Sequence, residues 1–233
     1  MELRSQTAVS FAIAAAFWLM PALGAESFEI KVRHDHLRKG CTGTLLIDER
    51  GVSFAASEKQ QKPHAWRWEW PDIQRFELSP EKLRVLTYQD ISWKLGADRE
   101  YEFDVLERQG LDEAYRFLRN RLDQRFVAIL ADGDAEPLWK IPVKRLGRIR
   151  GSEGTLVVAV DRIVYRSTQR GHSRTWRYQD IENVSTSGRF ELTVTTYERV
   201  FNFQLKEVLD EKRFNDLWRR LNQAKSLELL SLK

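Results

Sequence analysis

The chain has 233 residues, 42% of them hydrophobic and 31% charged, with a formal net charge of +4. That excludes a disordered polymer and leaves room for one large folded unit or two of ordinary size. A single cysteine, Cys41, excludes an intramolecular disulfide, a cysteine zinc knuckle and a dithiol redox site.

Residues 1–25 carry Arg4, an apolar run from Thr7 to Met20, and then Pro21-Ala22-Leu23-Gly24-Ala25. A basic start, a short apolar core and small residues at a break are the pattern of a secretory signal peptide. The expectation is export to a bacterial periplasm or beyond, with an uncleaved N-terminal anchor as the alternative. The apolar core is short for a span, which takes about 20 apolar residues. No later segment is apolar enough to cross a membrane.

The remainder reads as one pattern used twice, at 26–124 and 138–233, with a short ordered linker at 125–137. Phe28, Ile30 and Val32 alternate as a half-buried strand requires, and Trp139, Ile141 and Val143 repeat them 111 residues later. Gly43-Thr44-Leu45 returns as Gly154-Thr155-Leu156, and Val52 and Phe54 return as Ile163 and Tyr165. Asp48-Glu49-Arg50-Gly51 and Asp161-Arg162 read as tight turns between strands. Cys41 falls opposite Ser152 and reads as a small loop residue. Three extra residues near Glu58 to Lys62 precede the motif Trp68-Glu69-Trp70-Pro71-Asp72-Ile73, which returns as Trp176-Arg177-Tyr178-Gln179-Asp180-Ile181. Trp66, Trp68 and Trp70 share one strand face and read as core. Leu83, Val85 and Thr87 match Leu192, Val194 and Thr196; after them the first copy alone carries an excursion, Gln89 to Ala97, containing Trp93.

Each copy ends in a helical pattern: Leu111, Tyr115, Leu118 and Leu122, then Phe214, Leu217, Trp218 and Leu221. Asp112 and Asp210 stand near the helix starts, where a carboxylate complements the exposed N–H groups. Between the copies, Phe126 to Leu130 is strand-like and Asp132-Gly133-Asp134 is a turn. The expected fold is mainly β with terminal helices: about seven antiparallel strands and one amphipathic helix per copy. A lone immunoglobulin-like sandwich would not need that helix twice.

Seven strands closed by such a helix resemble the pleckstrin-homology (PH) superfold and its bacterial PH-like and GRAM-like relatives. The Trp-x-aromatic-x-Asp-Ile motif resembles their central strand pair. The resemblance implies two tandem barrels, each plugged by its helix, with Trp218 as the packed helix tryptophan; Phe117-Leu118 departs from that feature in the first copy. The superfold hosts lipid binders, peptide binders and scaffolds alike.

Few residues carry chemistry. His34-x-His36 places two rings on one strand face but lacks a third ligand, and a zinc site needs three or four. His64 and His172 occupy equivalent turns. Asp72 and Asp180 recur 108 residues apart and read as turn-capping groups rather than one carboxylate pair. No phosphate loop, zinc-protease, nucleophile-elbow or Cys-x-x-Cys motif is present, so no catalytic residue, metal or cofactor is expected, and a hydrolase in a groove between the copies ranks last. Charge is divided unevenly. Residues 26–136 hold 18 Lys and Arg against 22 Asp and Glu, a net −4, whereas residues 137–233 hold 19 against 11, a net +8. Lys144, Arg145, Arg148 and Arg150 crowd the loop after the first strand of the second copy, and Arg166, Arg170 and Arg174 flank its next loop. In PH domains that first loop supplies cations to anionic headgroups, so the resemblance implies an anion or ligand site here; the alternative is that these cations face the acidic first copy. The expected function is therefore a non-enzymatic exported scaffold that engages a protein partner through surface loops, with Trp93 as interface candidate and no nucleic-acid partner. The second reading is peripheral attachment to an anionic membrane or glycan.

Overall fold

The structure, a computed structural model, describes residues 26–35, 40–57, 65–147 and 150–231. The leader-like segment, His36, His64, Arg148 and the insertion near Glu58 to Lys62 lie outside the described residues.

Repeat 1 runs through β1 (Phe28–His34), β2 (Cys41–Ile47), β3 (Gly51–Ala56), β4 (Ala65–Glu69), β5 (Ile73–Leu78), β6 (Lys82–Asp90), β7 (Asp98–Val105) and α1 (Leu111–Arg121). A three-residue strand, β8 (Phe126–Ala128), follows. Repeat 2 runs through β9 (Trp139–Arg145), β10 (Ser152–Val158), β11 (Arg162–Ser167), β12 (Arg174–Arg177), β13 (Ile181–Ser185), β14 (Glu191–Thr196), β15 (Val200–Leu205) and α2 (Glu211–Ser231). The protein is mainly β, as expected, with seven strands and a helix in each copy. No helix among the described residues is long and apolar enough to cross a membrane.

All fifteen strands belong to one sheet, in the order β13-β14-β15-β9-β10-β11-β12-β8-β5-β6-β7-β1-β2-β3-β4. Each repeat contributes the same internal order, read from its fifth strand through its seventh to its first and on to its fourth. The strand-like linker is the seam: β8 pairs parallel with β5 of repeat 1 and antiparallel with β12 of repeat 2.

The duplicated residues hold equivalent places. The aromatic-x-Asp segments form one turn of 3₁₀ helix, at Trp70–Asp72 and Tyr178–Asp180, and the following strand is irregular between Ile73 and Arg75 and between Ile181 and Asn183. Trp68 packs on Tyr101 at 4.6 Å between ring centroids, and their counterparts Trp176 and Phe201 lie 4.7 Å apart. Each repeat has its own apolar core, and a smaller cluster of Ala135, Val157, Ala159 and Val164 packs the linker against repeat 2. Cys41 is not a loop residue but the buried first residue of β2. Its counterpart Ser152 is also buried and lies 2.9 Å from the Tyr165 hydroxyl, where repeat 1 has Phe54. Both partners are polar in one copy and neither hydroxyl occurs in the other, so no buried hydroxyl is orphaned.

Helix α1 follows Gly110, whose φ of +80° is available to glycine at little cost. Leu111, Tyr115, Leu118 and Leu122 are buried as the spacing predicts. Asp210 accepts the Arg213 backbone N–H at 2.8 Å and so caps α2. Leu217 and Leu221 point into the second core, but Trp218 is 51% exposed. The packed tryptophan implied by the PH resemblance is therefore corrected: Leu217 takes the inward position, and the next residue is rotated by about 100° toward solvent.

Gly43 and Gly154 have a steric cause. A Cβ on Gly43 would sit 2.2 Å from the Ala55 carbonyl oxygen, and one on Gly154 2.2 Å from that of Arg166. Gly43→Ala and Gly154→Ala should each destabilise the protein by about 1–3 kcal/mol, read as a lowered midpoint in chemical denaturation. Gly133→Ala, which meets nothing within 4 Å, should stay within about 0.5 kcal/mol of wild type.

Candidate functional site

The junction between the repeats concentrates the charged chemistry. Asp132, in the turn after β8, is 2% exposed. Its Oδ1 accepts the Asp134 backbone N–H at 2.9 Å, as an Asp-Gly-Asp turn requires. Its Oδ2 accepts the Tyr115 hydroxyl and Arg119 Nη1 from α1, both at 2.8 Å, and Arg162 Nη1 from β11. The Asp132 N–H donates to Thr175 Oγ1 at 3.0 Å, and that hydroxyl donates to the Leu130 carbonyl at 2.8 Å. The carboxylate thus joins the helix of repeat 1, the linker and β11 of repeat 2, and the backbone N–H of the same residue adds β12. Burial alone would raise the Asp132 carboxyl; the Tyr115 hydroxyl, the Asp134 N–H and Arg162 outweigh it and hold the group below its ordinary value. Burial, then the bond to Asp132, pushes the Tyr115 phenol up to about 12.

Arg177 is the second tie. Its Nη1 donates to the Arg119 and Leu122 carbonyls, each at 2.6 Å, and its Nη2 to the Asp123 carbonyl at 2.9 Å. These are carbonyls at and just beyond the end of α1, which lack helical partners and favour a cation. Asp180 fixes the guanidinium from the other side at 2.7 and 2.8 Å. The duplicated aspartates therefore have structural roles: Asp180 orients Arg177, and Asp72 accepts the Glu69 N–H at 3.4 Å. A groove of about 680 Å³ opens here, with Arg119, Arg162, Arg177 and Arg220 on its lining. Each of these arginines already holds a carboxylate, from Asp132, Asp161, Asp180 or Asp216.

The sequence-derived cations scatter. Lys144 and Arg150 are exposed. Arg145 is half-buried, 5.7 Å from the Tyr165 ring centre, and donates to His172 Nδ1 at 3.1 Å. Burial first, then Arg145 and Arg174, pull the His172 pKa down. Arg166 reaches the Asp132 carbonyl at 3.4 Å, and Arg170 pairs with Glu81 of repeat 1. Arg174 flanks the 168–173 loop as the first residue of β12, but it is 6% exposed and bonds Glu198 at 2.9 Å. His34 Nδ1 donates to the Glu102 carbonyl at 2.8 Å and its ring packs on Trp66. Among the described residues no group of three His, Cys, Asp or Glu is placed to hold a metal ion. Trp93 is 83% exposed, and Leu95 beside it is fully exposed, at the tip of the β6–β7 hairpin. The sequence presents Asp132 as a turn residue only and does not single out Arg162, Arg177 or Arg199. Arg162 and Arg177 have one available signal: they stand where repeat 1 has Gly51 and Glu69.

No family model matches the chain, and no curated protein matches it. Among solved structures it is similar to the C-terminal domain of an unknown protein from Leishmania infantum, at 12% identity over 37% of this chain and 84% of that one, with a TM-score of 0.32. It is also similar to a chain of the Spt16D Pob3N heterodimer, at 13% identity over 73% of this chain and 82% of that one, with a TM-score of 0.31. Likeness at this level says nothing about activity.

Substitutions at three residues test the junction. Asp132→Ala, which leaves the buried Arg119 without a carboxylate and Arg162 with Asp161 alone, should cost about 3 kcal/mol in denaturant melts. Because the folded-state pKa of Asp132 is depressed, its stabilisation is present above about pH 4 and is lost as pH falls through the folded value; the variant's stability should fall less steeply there. The raised Tyr115 pKa has the opposite linkage, with stability lost from about pH 10 toward about 12, and Tyr115→Phe should flatten that limb. Arg177→Gln should speed amide exchange at Leu122, the last N–H bonded within α1, by about tenfold or more, the equivalent of one charge-assisted hydrogen bond.

Proposed function

We propose that this chain is a non-enzymatic, exported scaffold in which two PH-like barrels are joined into one unit and engage a protein partner through the β6–β7 hairpin of repeat 1. The observation that carries the reading is the pair Trp93 and Leu95, large apolar side chains left 83% and 106% exposed at a hairpin tip. An aromatic side chain at such a tip offers large contact area for few rotatable bonds, which is the profile of an interface anchor. The tip belongs to repeat 1 alone: the corresponding β14–β15 turn is short and carries Tyr197, Glu198 and Arg199.

The PH-like reading is supported by the common strand order of the two repeats and by the helix that ends each of them. The scaffold reading is supported by what the ionisable groups do. His34, His172, Asp72, Asp132 and Asp180 each serve a neighbouring donor or acceptor within the fold, a structural use rather than one that presents them to a substrate. The leader-like residues 1–25 support export.

A photo-crosslinking side chain at position 93, and the same group at Tyr197 in the counterpart turn, tests this in the intact exporting cell. An adduct of one defined mass is expected from position 93 and not from 197, and Leu95→Ala should abolish it with the thermal midpoint unchanged. Equal labelling from both positions, or none from 93, would sink the hairpin as the docking element.

A further inference from the structure

A second space of about 240 Å³ lies between the repeats, apart from the Asp132 network and from the Trp93 hairpin. Glu77, Lys82 and Arg84 of the β5–β6 hairpin form one wall, Ile129 lies beside them just past β8, and Arg174 and Arg199 of repeat 2 form the other wall.

The two walls differ in how their charges are matched. On the repeat 1 side each cation has an anion of its own wall: Arg84 bonds Glu102 at 2.8 Å and Glu77 at 3.4 Å, Lys82 bonds Glu102, and Arg75 holds Glu77 at 3.0 Å. On the repeat 2 side the anions run short. Arg174 Nη2 at 2.9 Å, Arg199 Nη2 at 2.5 Å and Arg199 Nε at 2.8 Å all donate to one atom, Oε1 of Glu198. Both guanidinium groups also lie against the ring of Phe201, at 5.9 and 5.6 Å from its centre. Arg145 stands near enough to repel both of them, and its side-chain partner is the imidazole of His172 rather than a carboxylate. Three guanidinium groups thus crowd the Glu198 carboxylate, with Glu77 acting on Arg174 from the opposite wall.

Arg174 is 94% buried, and its Nη1 meets no hydrogen-bond acceptor among the described residues. A buried charged donor left without an acceptor is costly, and the protein's own groups do not relieve it. Burial first, and then Arg199 and Arg145, pull the Arg174 guanidinium below its ordinary value against the opposing effect of Glu198 and Glu77.

We propose that this cleft binds a small tetrahedral oxyanion, a phosphate group in particular, through Arg174 and Arg199. Guanidinium forks match the paired oxygens of a phosphate, and the half-dry wall strengthens each bond relative to water. The volume is below the roughly 300–1,000 Å³ of pockets that enclose drug-sized ligands, which suits an inorganic anion or a single protruding headgroup. The site differs from the loop implied by the PH resemblance, because Lys144 and Arg150 are not on its walls.

The test uses the full chain and sodium phosphate, with sodium chloride at matched ionic strength as reference. Phosphate should raise the thermal midpoint saturably beyond chloride, and isothermal titration should give the affinity. Arg199→Gln, at a side chain that is 58% exposed, should weaken binding by about tenfold, the equivalent of one charge-assisted hydrogen bond, with its thermal midpoint in chloride reporting any change in stability. Glu198→Gln, which frees two arginines, should tighten it. Lys144→Gln with Arg150→Gln should leave it unchanged. Vesicles containing phosphatidylglycerol separate the sources: sedimentation that free phosphate reverses identifies a headgroup, and a phosphate shift without sedimentation identifies the free anion. A midpoint that responds to phosphate no more than to chloride overturns the proposal, as does an affinity lowered equally by the Arg199 and the Lys144/Arg150 substitutions.

Discussion

The constraint on which the rest of the structure depends is the burial of Asp132. Taking a carboxylate out of water costs several kcal/mol even after relaxation, so it needs donors arranged around it. Here those donors come from elements that are far apart in sequence: Tyr115 and Arg119 on α1, Arg162 at the start of β11 and the local Asp134 N–H. They converge on one carboxyl group only when helix, linker and second repeat hold one relative position. The network therefore stabilises less by its own net energy than by making other arrangements costly, since each would leave a buried charge unpaired. The short seam strand β8 and the Arg177 fork act in the same place and the same sense.

The duplication supplies two similar sheets, and the differences between the copies convert them into one. Where repeat 1 has Gly51 and Glu69, repeat 2 has Arg162 and Arg177, and both arginines reach outward to residues 119–132. Arg170 does the same toward Glu81. The net charges of −4 and +8 are thus partly an interface written into composition, with cations of the second copy meeting carbonyls and carboxylates of the first and of the linker. The neutral pair Cys41 and Phe54 against the polar pair Ser152 and Tyr165 shows the other mode of divergence, in which two buried positions change together and the core stays satisfied.

What could be read from the sequence follows from how local each cause is. Alternation of apolar residues, the Asp48 turn, the α1 stripe and the strand-like run at Phe126 depend on near neighbours, and they are found where the spacing puts them. The mainly β architecture followed from counting them. Asp132 was legible as a turn residue because one of its oxygens does serve its own turn; the other takes donors 13, 17 and 30 residues away, which no local pattern encodes. Arg174 looked like a loop cation for the same reason, since its burial depends on Glu198 and Phe201 across the sheet. Trp218 misled differently: helical spacing places it beside the apolar stripe, and only the packing of Leu217 decides which of the two neighbours turns inward.

The sheet also bears on how a partner would be met. By filling the outer side of β12 and of β5, β8 removes two of the four edges that two separate seven-stranded sheets would have. The remaining edges are β4 and β13. Arg67 and Glu69 on β4, and Glu182 and Asn183 on β13, are exposed, and charged edge residues oppose the addition of a further strand. Lys225 of α2 also donates to the Glu182 carbonyl, occupying one acceptor of the β13 edge. Recognition by strand addition is thereby disfavoured at both ends. The base of the β6–β7 hairpin is held within the repeat 1 sheet, where β5 pairs β6 as far as Thr87 and β1 pairs β7 from Phe103 to Val105, while its tip projects Trp93 and Leu95. A surface of that kind engages a partner through side chains held on a rigid base, with little backbone ordering left to oppose binding.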